Sequence, residues 1–186
     1  MTRDEFRKFA MALKTYYPRE QLLPNRESME LWYRELADIP YTVAEAALRK
    51  YVSTNKFSPT IADIREMAAT VMYGEKPQWA DGWNQLEKAI RKYGSYNVHA
   101  AMESMDDITR ATVKRLGYRN LCLSTNQMAD RANFRTVFEQ LVDRRQKEQQ
   151  MSISLSQIIE SIQEKGVDAI ENQRSERISA PNSKAR

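Results

Sequence analysis

The feature that most constrains this chain is a close succession of helix starts and stops between Thr2 and Gly74. Thr2 and Glu5 stand in capping-box spacing, where each side chain can satisfy a free backbone amide at a helix start. Phe6, Phe9, Ala10 and Leu13 follow as one stripe of an amphipathic helix. Pro18 ends it, because proline cannot donate to the ladder and pushes Tyr17 out of helical geometry. A second helix is predicted from Asn25, presenting Met29, Trp32, Tyr33 and Leu36, and "DIPY" breaks it. Thr42 and Glu45 repeat the capping box, ahead of Ala44, Ala47, Leu48, Tyr51 and Val52.

The run "TNKFSPTIADIRE", Thr54 to Glu66, is read as punctuation between two helices. Phe57 is expected to plug the core. Either Ser58 caps the next helix with Pro59 at its first position, or Thr60 caps it with Asp63 behind. Ile61, Ile64, Met67, Ala68 and Val71 make the fourth stripe, and Gly74 suits its C-terminal stop. No glycine cluster exposes backbone amides here, so the run is a poor phosphate cradle. Residues 1–72 are thus expected to form a compact four-helix unit.

After the hinge "YGEKPQW", Asp81 can start a helix carrying Trp83, Leu86, Ile90 and Tyr93, closed by Gly94. Val98, Ala101, Met102 and Met105 predict a short helix, and "DDITRATVKRLG" another that closes at Gly117. "YRNLCLSTN" reads as a turn or a single helical turn. A longer helix follows over about 126–148, with Phe134, Val137, Phe138 and Leu141 on its face. Residues 80–148 are expected to form a second small helical block. Residues 149–186 hold an amphipathic helix, about 152–165, and then a tail without a usable apolar pattern, expected to be disordered.

The fold class is therefore all-α. With 5 Gly and 6 Pro in 186 residues the sequence has too few turn formers for an all-β design, while good helix formers recur throughout. No apolar stretch approaches the roughly 20 residues of a membrane span, and the charged start lacks the apolar run of a signal peptide. A lone cysteine, Cys122, excludes an internal disulfide and suits a reducing cytoplasm.

Reactive chemistry finds little support. His99 is the single histidine, so Cys/His zinc sites cannot be assembled within one chain. It reads as a structural or surface residue, and Cys122 between Leu121 and Leu123 as a small core residue. Neither a GxxxxGK[ST] loop nor a GxGxxG turn occurs. Asp106 and Asp107 sit where a helix start favours negative charge. No catalytic, cofactor or metal residue is assigned, and an enzyme is not expected.

Three binding features remain. Arg91, Lys92, Lys114, Arg115 and Arg119, interleaved with Tyr93 and Tyr118, can track a phosphate backbone or an acidic partner if they cluster. The alternative is a solvated face balanced by nearby carboxylates, and the net charge of +4 is a weak footprint for a nucleic-acid binder. Asp130 and Arg131, just ahead of Phe134 and Phe138, are read as an internal ion pair that fixes helix docking, with a polar contact to a partner as the alternative. Leu155, Ile158, Ile159 and Ile162 form a narrow stripe on a helix that is marginal alone in water. It must dock on its own domain, self-associate as a homo-oligomer, or enter a partner's groove.

The first 72 residues resemble the bacteriophage replicative helicase loader/inhibitor family, on "ALKTYYPRE" and "LWYRELADIPYTVAEAALRKYVSTNKFSPTIADIRE" in that order. "GWNQLEKAIRKYG" through "DRANFRTVFEQL" looks like an extension seen in phage-encoded relatives. The resemblance implies a non-enzymatic protein of the bacterial host cytoplasm that needs no cofactor. It would bind the hexameric replicative helicase, restrain its ATPase and deliver it to an origin complex. In that family the C-terminal portion contacts the helicase, which maps the contact onto Leu155, Ile158, Ile159 and Ile162. Two competing readings use the same surfaces: an anti-CRISPR inhibitor of a Cas9-type nuclease, and a DNA-binding replisome organiser that uses the middle basic residues.

Overall fold

The computed structural model describes the backbone of residues 1–179 and the side chains of residues 1–166. Among these residues the chain is all α-helix, without a strand. The helices run α1 (Arg3–Tyr16), α2 (Arg26–Leu36), α3 (Tyr41–Thr54), α4 (Ile61–Tyr73), α5 (Trp79–Tyr93), α6 (Val98–Glu103), α7 (Asp107–Leu116), α8 (Tyr118–Leu123), α9 (Gln127–Gln150) and α10 (Ile153–Ser179). Contacts divide them into two units, Met1–Tyr41 with Met151–Arg186, and Thr42–Gln150.

In the first unit the Thr2 hydroxyl accepts from the Glu5 amide at 3.3 Å, and the Glu5 carboxylate accepts from the Thr2 amide at 2.7 Å. This reciprocal cap fixes where α1 begins, and therefore which face Phe6, Phe9, Ala10 and Leu13 bury. The Phe6 ring meets Tyr33 of α2 with centroids 5.5 Å apart and planes tilted by 60°. Asn25 caps α2 as expected, accepting from the Ser28 amide at 2.8 Å. The start of α10 belongs to this unit. Its Ile153 amide donates to the Asp38 carboxylate at 3.2 Å, and buried Ser152 accepts from the Leu155 amide at 3.2 Å. The backbone of α10 runs on through Gly166 to Ser179. The sequence-based expectation of a disordered end falls, from residue 180 onward, outside the described residues.

The second unit corrects three local expectations. First, α3 starts at Tyr41, directly after Pro40, so Thr42 is its second helical residue and no Thr42–Glu45 capping box forms. The predicted face nevertheless holds, with Ala44, Ala47, Leu48 and Tyr51 buried. Second, Thr60 rather than Ser58 caps α4, its hydroxyl accepting from the Asp63 amide at 3.2 Å. Pro59 then takes the buried place in the α3–α4 loop, and Phe57 is left 79% exposed instead of plugging the core. Third, α4 buries Ile64, Ala68 and Ala69, while Val71 is exposed.

The same helix α4 docks on α9, where Gln146 donates to the Glu66 carboxylate at 3.1 Å and the Arg65 guanidinium donates to the Gln150 carbonyl. The core of α5–α9 gathers Trp83, Leu86, Ala89, Val113, Tyr118, Phe134 and Phe138. Trp83 meets Phe134 edge-on at 5.3 Å, and Phe134 stacks with Phe138 at 5.7 Å. Gly82 lets α5 approach this pair: a Cβ there would lie 2.6 Å from the Phe138 ring and 2.8 Å from the Thr109 hydroxyl oxygen.

Candidate functional site

The α10 stripe lies on one helical face, because Leu155, Ile158, Ile159 and Ile162 follow i, i+3, i+4, i+7 spacing. Within its unit this face is open to solvent: Leu155 is 43%, Ile158 54% and Ile162 62% exposed, and Ile159 is half-buried. Ile153, the first residue of the helix, is also exposed but lies about half a turn around the axis from this stripe and is not part of it. Ser152 and Asp38 hold the N-terminal end of the helix in place. Covering three half-exposed aliphatic side chains is worth about 3 kcal/mol in all, enough to matter to a docking surface.

The basic residues stand at helix ends that meet through one contact. Arg91 and Lys92 stand in the last turn of α5, Lys114 and Arg115 in the last turn of α7, and Arg119 near the start of α8. Gly94 and Gly117, both at positive φ, end α5 and α7 as the sequence predicted. The Tyr118 hydroxyl donates to the Gly94 carbonyl at 3.0 Å and ties these helix ends together. All five cations are exposed. Arg91 pairs with Glu87 at 3.5 Å, and Lys92 lies over the Tyr93 ring at 5.0 Å. Among the described residues Lys114, Arg115 and Arg119 have no carboxylate partner.

Asp130 and Arg131 do not form the internal ion pair. The Arg131 guanidinium lies over the Trp79 ring, 5.1 Å from its centroid, with Arg135 also near it at 5.6 Å. The face of an indole attracts a cation and leaves it half in water, so Arg131 fixes how α9 meets the start of α5 without a carboxylate.

His99 sits exposed on α6 beside Glu103, at 3.4 Å. Cys122 is half-buried against the α5–α9 core, its sulfur 4.0 Å from the Gly94 carbonyl oxygen. Burial, and then the neighbouring Cys122 thiol, push the Tyr118 phenol up to about 12. A cleft of about 400 Å³ lined by Tyr73, Lys76, Asp106, Asp107 and Arg145 mixes both signs of charge. Among the described residues no group of three His, Cys, Asp or Glu side chains could hold a metal ion. No helix among them is long and apolar enough to cross a membrane.

Compared with known proteins, the chain matches no curated protein and no solved structure. Its N-terminal part does match a family model over residues 1–65, that of the N-terminal domain of the phage helicase loader/inhibitor family. The matched stretch runs from α1 through α3 and into the first turn of α4, over the runs that carried the sequence resemblance. Residues 1–65 of this chain are thus similar to the N-terminal domain of the phage helicase loader/inhibitor family.

Proposed function

We propose that this chain is a phage helicase loader/inhibitor, which binds a hexameric replicative helicase and regulates it through its surfaces, without chemistry of its own. The family match over residues 1–65 carries this reading. In it, residues 1–72 are the family's helical module, residues 80–148 an added helical block, and residues 149–186 the part that reaches the helicase. The open face of Leu155, Ile158, Ile159 and Ile162 supports that assignment, since it offers an apolar stripe at the spacing a helix-binding groove accepts.

The test is reconstitution with the hexameric helicases of the phage and its host. Co-elution of the full chain with one of them, and a lowered ATPase rate, are expected. Leu155→Ser/Ile158→Ser/Ile162→Ser should weaken binding at least tenfold while the protein stays folded. Absence of both co-elution and an ATPase effect with either helicase would overturn the reading.

A further inference from the structure

We infer that the junction of α5, α7 and α8 is a binding surface for single-stranded nucleic acid. The junction is built from two stretches of chain that lack carboxylates. Residues 88–102 contain Lys88, Arg91 and Lys92 and no Asp or Glu; residues 108–129 contain Arg110, Lys114, Arg115 and Arg119 and again no Asp or Glu. The Tyr118–Gly94 hydrogen bond joins one stretch to the other.

Helix ends alone do not account for this charge. A helix C-terminus carries roughly half a negative charge, whereas the last turns of α5 and α7 each hold two cations. Arg119 is the second residue of α8, at the end where the helix field disfavours a positive charge. Arg110 is absorbed structurally, donating to the Met102 and Met105 carbonyls at 2.8 Å each. Arg91 is offset by Glu87. Lys92, Lys114, Arg115 and Arg119 remain as uncompensated, solvated cations on three helices.

Tyr96 supplies the second half of the site. It lies two residues beyond Gly94, in the α5–α6 loop, and is 96% exposed. A phenol ring in water, two residues along the chain from the Gly94 carbonyl that joins these helix ends, is what an unpaired base can stack upon, and stacking is open only to strands whose bases are free. Paired bases in a duplex offer no such face, and the carboxylate side chains of an acidic polypeptide carry no ring to stack. The combination therefore favours single-stranded nucleic acid over both.

The test uses the full chain alone, without helicase, so its outcome is independent of the function proposed above. Binding to a labelled oligothymidylate of about 20 nucleotides is titrated between about 50 and 200 mM salt. Four phosphate contacts predict a slope of log K against log salt of about −3, an affinity loss near fiftyfold over that range. Lys114→Gln/Arg115→Gln/Arg119→Gln should lower the magnitude of the slope by about 2. Tyr96→Ala should weaken binding about tenfold and leave the slope unchanged. These four side chains are exposed, so circular dichroism of the variants should match the parent. The inference is overturned if the chain does not bind the oligonucleotide at the lowest salt, or if the triple variant keeps the parental slope. It is equally overturned if polyglutamate competes as well as the oligonucleotide, or if duplex binds as tightly and Tyr96→Ala changes nothing.

Discussion

The Tyr118 hydroxyl donates to the Gly94 carbonyl across 3.0 Å, from the first residue of α8 to the residue that ends α5. The phenol is raised from its ordinary value of 10.0 to about 12, by burial first and by the Cys122 thiol second. Folding thus favours the neutral phenol. Its contribution to stability is whole below pH 10.0 and is lost as the pH rises toward about 12. Among the nine tyrosines, a phenolate absorbance step near pH 12 should vanish in Tyr118→Phe. The same variant should lose about 1 kcal/mol at neutral pH, for the missing hydrogen bond. An unchanged late step would refute the assignment.

Gly82→Ala sets two effects against each other. Alanine in a helix interior is favoured over glycine by about 1 kcal/mol. The new Cβ, however, would meet the Phe138 ring at 2.6 Å and the Thr109 hydroxyl oxygen at 2.8 Å, both on fully buried side chains. Overpacking of this kind costs about 1–3 kcal/mol, more where neighbours cannot move. Urea denaturation should therefore show a net loss of stability; a gain would mean that the α5–α9 core is looser than its geometry implies.

Asp106 caps α7 and clasps α5. It accepts from the Thr109 amide at 2.8 Å and from the Gln85 side chain at 2.6 Å, and its own amide donates to Gln85 at 2.9 Å. Burial alone would raise its carboxyl, but these hydrogen bonds together hold it below the ordinary 3.8. The stabilisation is present above pH 3.8 and is lost as the pH falls through the lowered value. Asp106→Ala should cost about 1 kcal/mol at neutral pH. Asp106→Asn, an equally good cap, should keep most of that stability and flatten the acid limb of the stability curve.

Phe57 and Phe134 are both phenylalanines flanked by polar residues, Lys56 and Ser58 for one and Asn133 and Arg135 for the other, yet they are 79% and 0% exposed. Phe134→Ala should destabilise by about 3–5 kcal/mol, the range for emptying an aromatic core site. Phe57→Ser should stay within about 0.5 kcal/mol of the parent. A large loss on replacing Phe57 would contradict its place at the loop surface.

Most helices of this protein are legible one at a time. The cap at Thr2 and the stops at Gly74, Gly94 and Gly117 act within a turn of chain, so residue type and spacing suffice to find them, whereas at α4 the same signals left Ser58 and Thr60 both open. The buried stripe of α1 is read from periodicity for the same reason; in α9 Phe134 and Phe138 are, while Val142 takes the third buried place and Val137 and Leu141 are half-buried. Thr42 misled because Pro40 offers an equally local start just ahead of it, and two local signals cannot rank themselves.

The candidate surfaces depended on contacts between segments far apart in sequence. Periodicity found the α10 stripe but could not tell a buried face from an open one; the exposure of Leu155, Ile158 and Ile162 is a property of what packs beside them. Likewise the five cations were visible as residues, but the Tyr118–Gly94 contact, between residues 24 apart in sequence, is what brings together the helix ends that carry them. Arg131 found Trp79 rather than Asp130 because helix packing brings the indole to it. Residue order alone told which segments are helices and, for most of them, where they stop and which residues line the apolar face, since those forces act over a few residues. Tertiary structure alone decided which faces remain in water and which charges gather, since both depend on partners that the chain order does not place side by side.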